Sequence, residues 1–219
     1  MPDPALPQPA VAPQPLGPAE IHLWFCEFPR LGPAANRREA QAFLLRLLSA
    51  YLDRRVDAAE LQPGAYGKPA LPAGGLDFNL SHSGSAAVVA LARGVEVGVD
   101  LESPGRPRPH AELARRYFCA REAQAVENAA EASRETMFLR LWTAKEAVLK
   151  ALGRGLAFGL DKLEFDAIAD PPALLRLDAS GGVAASWHVH ALALPSPWLG
   201  HLAWRGDARR VRIFHDSTR

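Results

Sequence analysis

Ser103-Pro-Gly-Arg-Pro-Arg-Pro-His110 constrains the fold more than any other stretch of this 219-residue chain. Three prolines in eight residues deny the backbone both a helix interior and a central sheet position. The elements must therefore be built before and after this point, and the segment reads as a linker near the middle of the chain. An N-terminal α+β half over residues 20–104 and a C-terminal α+β half over 105–219 are expected. A second proline-rich run, with seven prolines in residues 1–19, cannot support a core and is expected to stay outside the fold as a disordered tail.

On either side of the linker the apolar spacing alternates between two periods. Ile21 to Phe25 reads as a short strand. Ala40, Phe43, Leu44, Leu47, Leu48 and Tyr51 recur at helical spacing, predicting an amphipathic helix from about Pro33 to Leu52. After a loop holding Gly67-Lys68-Pro69, strands are expected at 77–81, 86–92 and 96–101, in the manner of an antiparallel meander. Beyond the linker the pattern predicts helices over 111–117, 120–132 and 134–152, then strands near 161–165, 174–177, 186–194, 200–204 and 211–214. Helices followed by strands in each half make an α+β fold.

Bulk properties exclude several classes. The formal net charge is +1 with both signs mixed, so nothing points to a nucleic-acid or membrane surface. Two cysteines, Cys26 and Cys119, lack metal-ligand spacing and argue against a disulfide scaffold. No basic start precedes an apolar run, and no apolar run reaches the length of a membrane span, so a cytoplasmic location is expected.

The chemistry concentrates in three places. In a helix, Trp142, Glu146 and Lys150 share one face at four-residue spacing. In a strand, Asp100 and Glu102 point one way, while Val97, Val99 and Leu101 fill the other face. Three carboxylates, Asp100, Glu102 and Glu146, can then converge on a metal. Read singly, Glu146 with Lys150 is an ordinary surface ion pair and Asp100 with Glu102 a solvated strand edge. Only four of the 25 basic residues are Lys, at 68, 145, 150 and 162, which suits sites that want a compact charge. Finally, Phe78-Asn-Leu-Ser81-His82-Ser-Gly84 gathers hydroxyls, an imidazole and backbone amides where a strand enters a turn, a combination that suits a phosphate.

In order and spacing, Gly67-Lys68-Pro69, Phe78-Asn-Leu-Ser-His-Ser83, Val97-Gly-Val-Asp-Leu-Glu102 and Trp142-Thr-Ala-Lys-Glu-Ala-Val-Leu-Lys150 resemble the signature motifs of the 4′-phosphopantetheinyl transferases, in particular the larger type that activates surfactin synthetase. The resemblance implies a monomeric pseudo-dimer of two similar α+β halves with the active site in the cleft between them. It implies Mg²⁺-dependent transfer (Mn²⁺ as an alternative) of the 4′-phosphopantetheine arm of coenzyme A to a serine of an apo acyl, aryl or peptidyl carrier protein, with release of adenosine 3′,5′-bisphosphate. Carried over residue by residue, Asp100, Glu102 and Glu146 hold the metal. Glu146 is the base, directly or through a water, and Lys145 and Lys150 meet the pyrophosphate. Lys68, Ser81 and His82 hold coenzyme A phosphates, with Arg37 beside them, and Trp142 shapes the cleft wall. The carrier is expected to dock near Phe118.

Two departures stand out. Fewer than a dozen residues separate Trp24 from the first long helix, where larger members carry an extra basic helical segment, so the resemblance assigns no nucleotide contacts there. The signature reads Trp…Lys-Glu-Ala rather than Phe…Lys-Glu-Ser, a variant linked with polyketide or fatty-acid-like pathways.

Overall fold

The computed structural model describes residues 8–9, 14–29, 31–72 and 75–216. Its strands are β1 (Gln8–Pro9), β2 (Glu20–Glu27), β3 (Gln62–Pro63), β4 (Pro69–Ala70), β5 (Asp77–Ser83), β6 (Ala86–Ala92), β7 (Val97–Glu102), β8 (Leu163–Asp166), β9 (Ala173–Leu177), β10 (Trp187–Ala191), β11 (Leu199–Arg205) and β12 (Arg210–His215). The helices are α1 (Pro33–Leu52), α2 (His110–Tyr117), α3 (Ala120–Asn128) and α4 (Glu131–Ala151). The fold is α+β. No helix among the described residues is long and apolar enough to cross a membrane.

Strand periodicity sorts the core into layers. In β2 the side chains of Ile21, Leu23 and Phe25 join one cluster, while Trp24 and Cys26 join the cluster under α1. β6 divides the same way: Ala86, Val88 and Ala90 face inward, Ala87, Val89 and Leu91 face the helix. Val97, Val99 and Leu101 of β7 close the inner cluster with Leu202 and Trp204 of β11. The opposite face of β7 lies against α4. A Cβ at Gly98 would overlap the Ala147 carbonyl and the Ala151 amide, so this glycine sets the depth of the helix on the sheet.

A five-stranded sheet runs β1-β12-β2-β6-β5 and a three-stranded sheet runs β10-β11-β7. The meander expected for 77–101 is therefore broken. β5 and β6 pair antiparallel, but β7 leaves them to pair antiparallel with β11. β12 returns from the far end of the chain to lie parallel with β2. The 103–110 segment joins β7 to α2 as expected, yet each of the two larger sheets draws strands from both sides of it; only the two-stranded β3–β4 and β8–β9 sheets lie wholly on one side. The loop around Lys68 is a tight hairpin, with Gln62 opposite Ala70 and the Gly64 amide donating to the Lys68 carbonyl.

The expected tail also departs from the structure. Leu16 is buried in the cluster under α1, and Gln8–Pro9 pair parallel with Phe214–His215. One large aliphatic side chain is enough to tie the end of that segment to the core. Residues 1–7 and 10–13 lie outside the described residues.

Candidate active site

β5 and β7 lie side by side without a backbone ladder, and the edge of β7 that faces β5 must still be satisfied. Side chains from the sequence motifs do this. The Val99 amide donates to Asn79 Oδ1 at 2.8 Å and the Leu101 amide to Ser81 Oγ at 3.2 Å. On the carbonyl side, Lys68 Nζ donates to Val97 O at 2.9 Å and Lys150 Nζ to Val99 O at 3.1 Å. Alternation along β5 puts Asn79, Ser81 and Ser83 on the face that reaches β7. Lys68 and Lys150 sit two residues apart along β7, about 7 Å by strand rise.

The cluster tightens around Asp100. Its Oδ1 accepts from Lys150 Nζ at 2.6 Å and from Ser81 Oγ at 2.8 Å, and Lys150 also donates to Ser81 Oγ at 3.1 Å. Asp100 Oδ2 is buried without a hydrogen-bond partner. Glu102, at the end of β7, accepts from Ser83 Oγ at 3.1 Å and lies 3.9 Å from Arg108. Burial raises the Glu102 pKa, and the Asp100 carboxylate raises it further against Arg108, Ser83 and Arg106. Glu146, one turn before Lys150 on α4, is pushed up to about 7, first by burial and next by Asp100; Lys150 opposes this and Glu102 adds to it.

The three carboxylates thus act on one another, yet among the described residues no three His, Cys, Asp or Glu side chains are gathered so that they could hold a metal ion. The Lys150 ammonium balances Asp100 instead. The donor set still fits a hard divalent cation: all donors are carboxylate oxygens, one is buried and unpartnered, and their mutual repulsion is what a cation would relieve.

Other expected site residues sort into two groups. His82 lies on the opposite face of β5 from Ser81 with part of its side chain exposed, and its pKa is lowered first by partial desolvation of the ring, then by Arg37 and Lys150. Arg37 reaches it because Asn36 Nδ2 donates to Gly84 O at 2.7 Å, which pins the start of α1 to the β5–β6 turn. Gly84 adopts φ 55 there, a left-handed conformation that favours glycine.

Lys145 belongs elsewhere. Its side chain has no exposed surface; Nζ donates to Leu160 O at 2.9 Å and to Leu163 O, and pairs with Glu122 Oε2 at 2.8 Å. Neighbouring helix residues point about 100° apart, so Lys145 is turned into the α3–α4 core while Glu146 faces β7. Trp142 is half-buried and stacks on Phe138 at 5.6 Å, with Tyr117 edge-on at 6.5 Å. It forms part of an aromatic wall, but Phe118 lies inside that wall and is buried, stacked on Phe138 at 5.2 Å. Phe118 cannot offer a carrier-docking surface; Tyr117, 37% exposed, can.

Two buried groups escaped the sequence reading. Glu122 is fully buried and accepts from the amides of Cys119 and Phe165 as well as from Lys145; its place three residues after the helix N-cap was the available signal. His201 stands directly across from Asp100 in the β7–β11 ladder. Its Nδ1 lies 2.7 Å from Thr143 Oγ1, its Nε2 is unpartnered, and burial drives its pKa down to about 3. No local pattern marked it.

A family model for the 4′-phosphopantetheinyl transferase superfamily matches residues 96–202, a span that includes Asp100, Glu146 and Lys150. HetI, a 4′-phosphopantetheinyl transferase of Nostoc sp., is 35% identical over 190 residues, covering 84% of this chain and 77% of that protein. The putative 4′-phosphopantetheinyl transferase slr0495 of Synechocystis sp. is 38% identical over 125 residues, 53% of this chain and 49% of that protein. The L-aminoadipate-semialdehyde dehydrogenase-phosphopantetheinyl transferase of Mus musculus is 33% identical over 155 residues, 63% of this chain and 50% of that protein. The matches thus span about half the length of the last two relatives and three quarters of HetI.

Proposed function

Because this chain belongs to the 4′-phosphopantetheinyl transferase superfamily, we propose that it transfers the 4′-phosphopantetheine arm of coenzyme A to a serine of an apo carrier protein and releases adenosine 3′,5′-bisphosphate. The observation that carries this reading is the Asp100–Ser81–Lys150 cluster in the gap between the two sheets, with Glu146 beside it. On this reading α1 with the larger sheet and α4 with the smaller one are the halves of a pseudo-dimer, and coenzyme A lies across the gap between them.

Each residue then has a task. Asp100, Glu102 and Glu146 would hold Mg²⁺, whose chemistry is to neutralise charge that develops on the departing diphosphate oxygen. Glu146, directly or through a water, takes the proton from the carrier serine Oγ–H as that oxygen attacks phosphorus and the bond from phosphorus to the departing bisphosphate breaks. The Lys150 ammonium, already bonded to three oxygens of the gap, is positioned to bind the pyrophosphate as a point charge. Lys68 stands one strand repeat away as a second cation. His82 and Arg37 border the far side of β5 and take the remaining coenzyme A phosphate.

The test is intact-protein mass spectrometry of apo carrier proteins incubated with the protein, coenzyme A and Mg²⁺, beside an EDTA control. A mass gain of one phosphopantetheine that disappears with EDTA is expected. Asp100→Ala should abolish the gain while leaving part of the coenzyme A binding. Wild-type transfer by Asp100→Ala would remove the metal assignment.

A further inference from the structure

Asp100 Oδ2 and His201 Nε2 are both buried without a hydrogen-bond partner, and the two residues are only 6% and 2% exposed. Either atom alone destabilises the fold, and buried polar groups in native proteins nearly always find a mate. These two belong to residues directly opposite in the β7–β11 ladder, where Cβ atoms lie about 5 Å apart on one face. That face meets α4: Asp100 is reached there by Lys150 and His201 by Thr143. Glycine at two positions draws the layers together at this level. A Cβ at Gly200 would lie 2.6 Å from the Asp100 carbonyl oxygen, and one at Gly98 would overlap the α4 backbone, so β11 closes on β7 and the helix closes on both.

The tautomer of His201 follows from its neighbours. Nδ1 lies 2.7 Å from Thr143 Oγ1. A proton on Nδ1 would leave Nε2 with a bare lone pair beside a buried carboxylate, two acceptors side by side. With the Thr143 hydroxyl donating to Nδ1 instead, the proton sits on Nε2 and the neutral ring offers the carboxylate a donor. Thr143 Oγ1 also lies 2.8 Å from Leu139 O, but inside α4 that carbonyl has the Thr143 amide as its helical partner and does not depend on the hydroxyl.

We propose that His201, set by Thr143, is a positioning residue that holds the Asp100 carboxylate by its second oxygen, Nε2–H donating to Oδ2 directly or through one water, so that Asp100 keeps its place when Lys150 leaves it for the pyrophosphate. The proposal rests on the transferase reading above and names what orients one of its metal-holding carboxylates. Oδ1 accepts from Lys150 and Ser81. Once Lys150 turns to a polyanion, Ser81 alone would hold a side chain that must meet a cation. A carboxylate oxygen has two lone pairs, so Oδ2 can take this N–H and still face the cation. Carboxylates that ligate metals are themselves hydrogen-bonded, and removing such a partner costs about 10- to 100-fold in metal affinity or activity.

The experiment compares wild type, His201→Leu, His201→Gln and Thr143→Val, each checked for folding by its denaturation midpoint. Titration calorimetry with Mn²⁺, in the presence of adenosine 3′,5′-bisphosphate, reads metal affinity without turnover. Transfer to an apo carrier protein at varied Mg²⁺ and varied coenzyme A reads the kinetic split. His201→Leu fills the space without an N–H, whereas the amide of His201→Gln restores one. In His201→Leu, Mn²⁺ affinity should fall about tenfold and the Mg²⁺ concentration for half-maximal rate should rise by the same factor, with KM for coenzyme A within about twofold of wild type. His201→Gln should recover metal affinity to within about threefold of wild type. Thr143→Val should fall between the two, because nothing then fixes the tautomer. Wild-type Mn²⁺ affinity in folded His201→Leu, or His201→Gln as weak as His201→Leu, would overturn the positioning role. Should His201→Leu fail to fold, Thr143→Val decides: unchanged Mn²⁺ affinity there overturns the role as well. Absence of transfer by wild type, with Mn²⁺ binding still weakened in His201→Leu, would instead overturn the transferase reading and leave the hold of His201 on Asp100 standing.

Discussion

Removing the charge of Glu146 should make the protein more stable at alkaline pH while ending transfer. The folded environment raises this carboxyl from 4.5 to about 7, through burial first and Asp100 second. Between those values the folded protein holds a proton that the unfolded chain has released, so stability declines as pH rises through the window and the full cost is present above it. At 1.36 kcal/mol per pKa unit the cost is about 3 kcal/mol. Glu146→Gln keeps the shape of the protonated acid and cannot ionise. Its stability should match wild type near pH 4.5 and exceed it by about 3 kcal/mol at pH 8, roughly 6–12 °C in Tm for a chain of this size. Urea denaturation in EDTA at intervals from pH 4.5 to 9 measures this directly. Adding Mg²⁺ at pH 8 should then stabilise wild type more than the variant, since the cation relieves the same repulsion. A difference between the two proteins that does not change with pH, or a Gln variant that is weaker at pH 8, would show that Glu146 is not held against its own charge.

Three further outcomes follow from the same geometry. His201, neutral in the fold with a pKa near 3 against an ordinary 6.5, takes no proton when the unfolded chain does. Stability should therefore fall by about 1.4 kcal/mol per pH unit below 6.5 on its account, and His201→Leu should flatten the pH 6.5–4.5 slope by one proton; equal slopes would reject this. Lys145→Met should cost about 3–5 kcal/mol because Glu122 is left charged and buried. Lys150→Met should cost less, since its side chain is partly exposed, yet lose transfer; the reverse order in denaturation midpoints would exchange their roles. Gly98→Ala should lower Tm and kcat together, because α4 must move off β7 and carry Glu146 and Lys150 with it; an unchanged Tm would mean that the helix is not seated on that glycine.

How far the sequence could be read depended on whether the information was local. The alternation in β2 and β6 and the helical spacing in α1 follow from one face of each element being buried, and both were legible. The four-residue spacing of Trp142, Glu146 and Lys150 put Glu146 and Lys150 on the face that meets β7, whereas Lys145, expected at the pyrophosphate from family resemblance alone, lies in the α3–α4 core. The partners of β7 and β12 were not legible, because strand pairing across the chain leaves no mark in the strand itself. His201 was hidden for the same reason: its relation to Asp100 exists only through the β7–β11 register.

The break between β5 and β7 explains why a polar site can exist inside so apolar a pair of sheets. A backbone ladder would hold the two strands about 4.8 Å apart and satisfy every edge group, leaving no charge exposed and no room for a ligand. Lacing the edge through Asn79, Ser81, Lys68 and Lys150 satisfies the same groups at a wider spacing and brings two ammoniums into the gap. The lysines cannot then be purely catalytic or purely structural. When a polyanion draws Lys150 away, the Val99 carbonyl and Asp100 lose a donor, so ligand binding and the seam between the sheets are coupled through one side chain. Asn79→Val should expose this coupling: with the Val99 amide unsatisfied, the seam loosens, and coenzyme A affinity should fall even though position 79 touches β7 rather than the ligand. Unchanged affinity in a folded Asn79→Val protein would show that the seam and the binding site are independent.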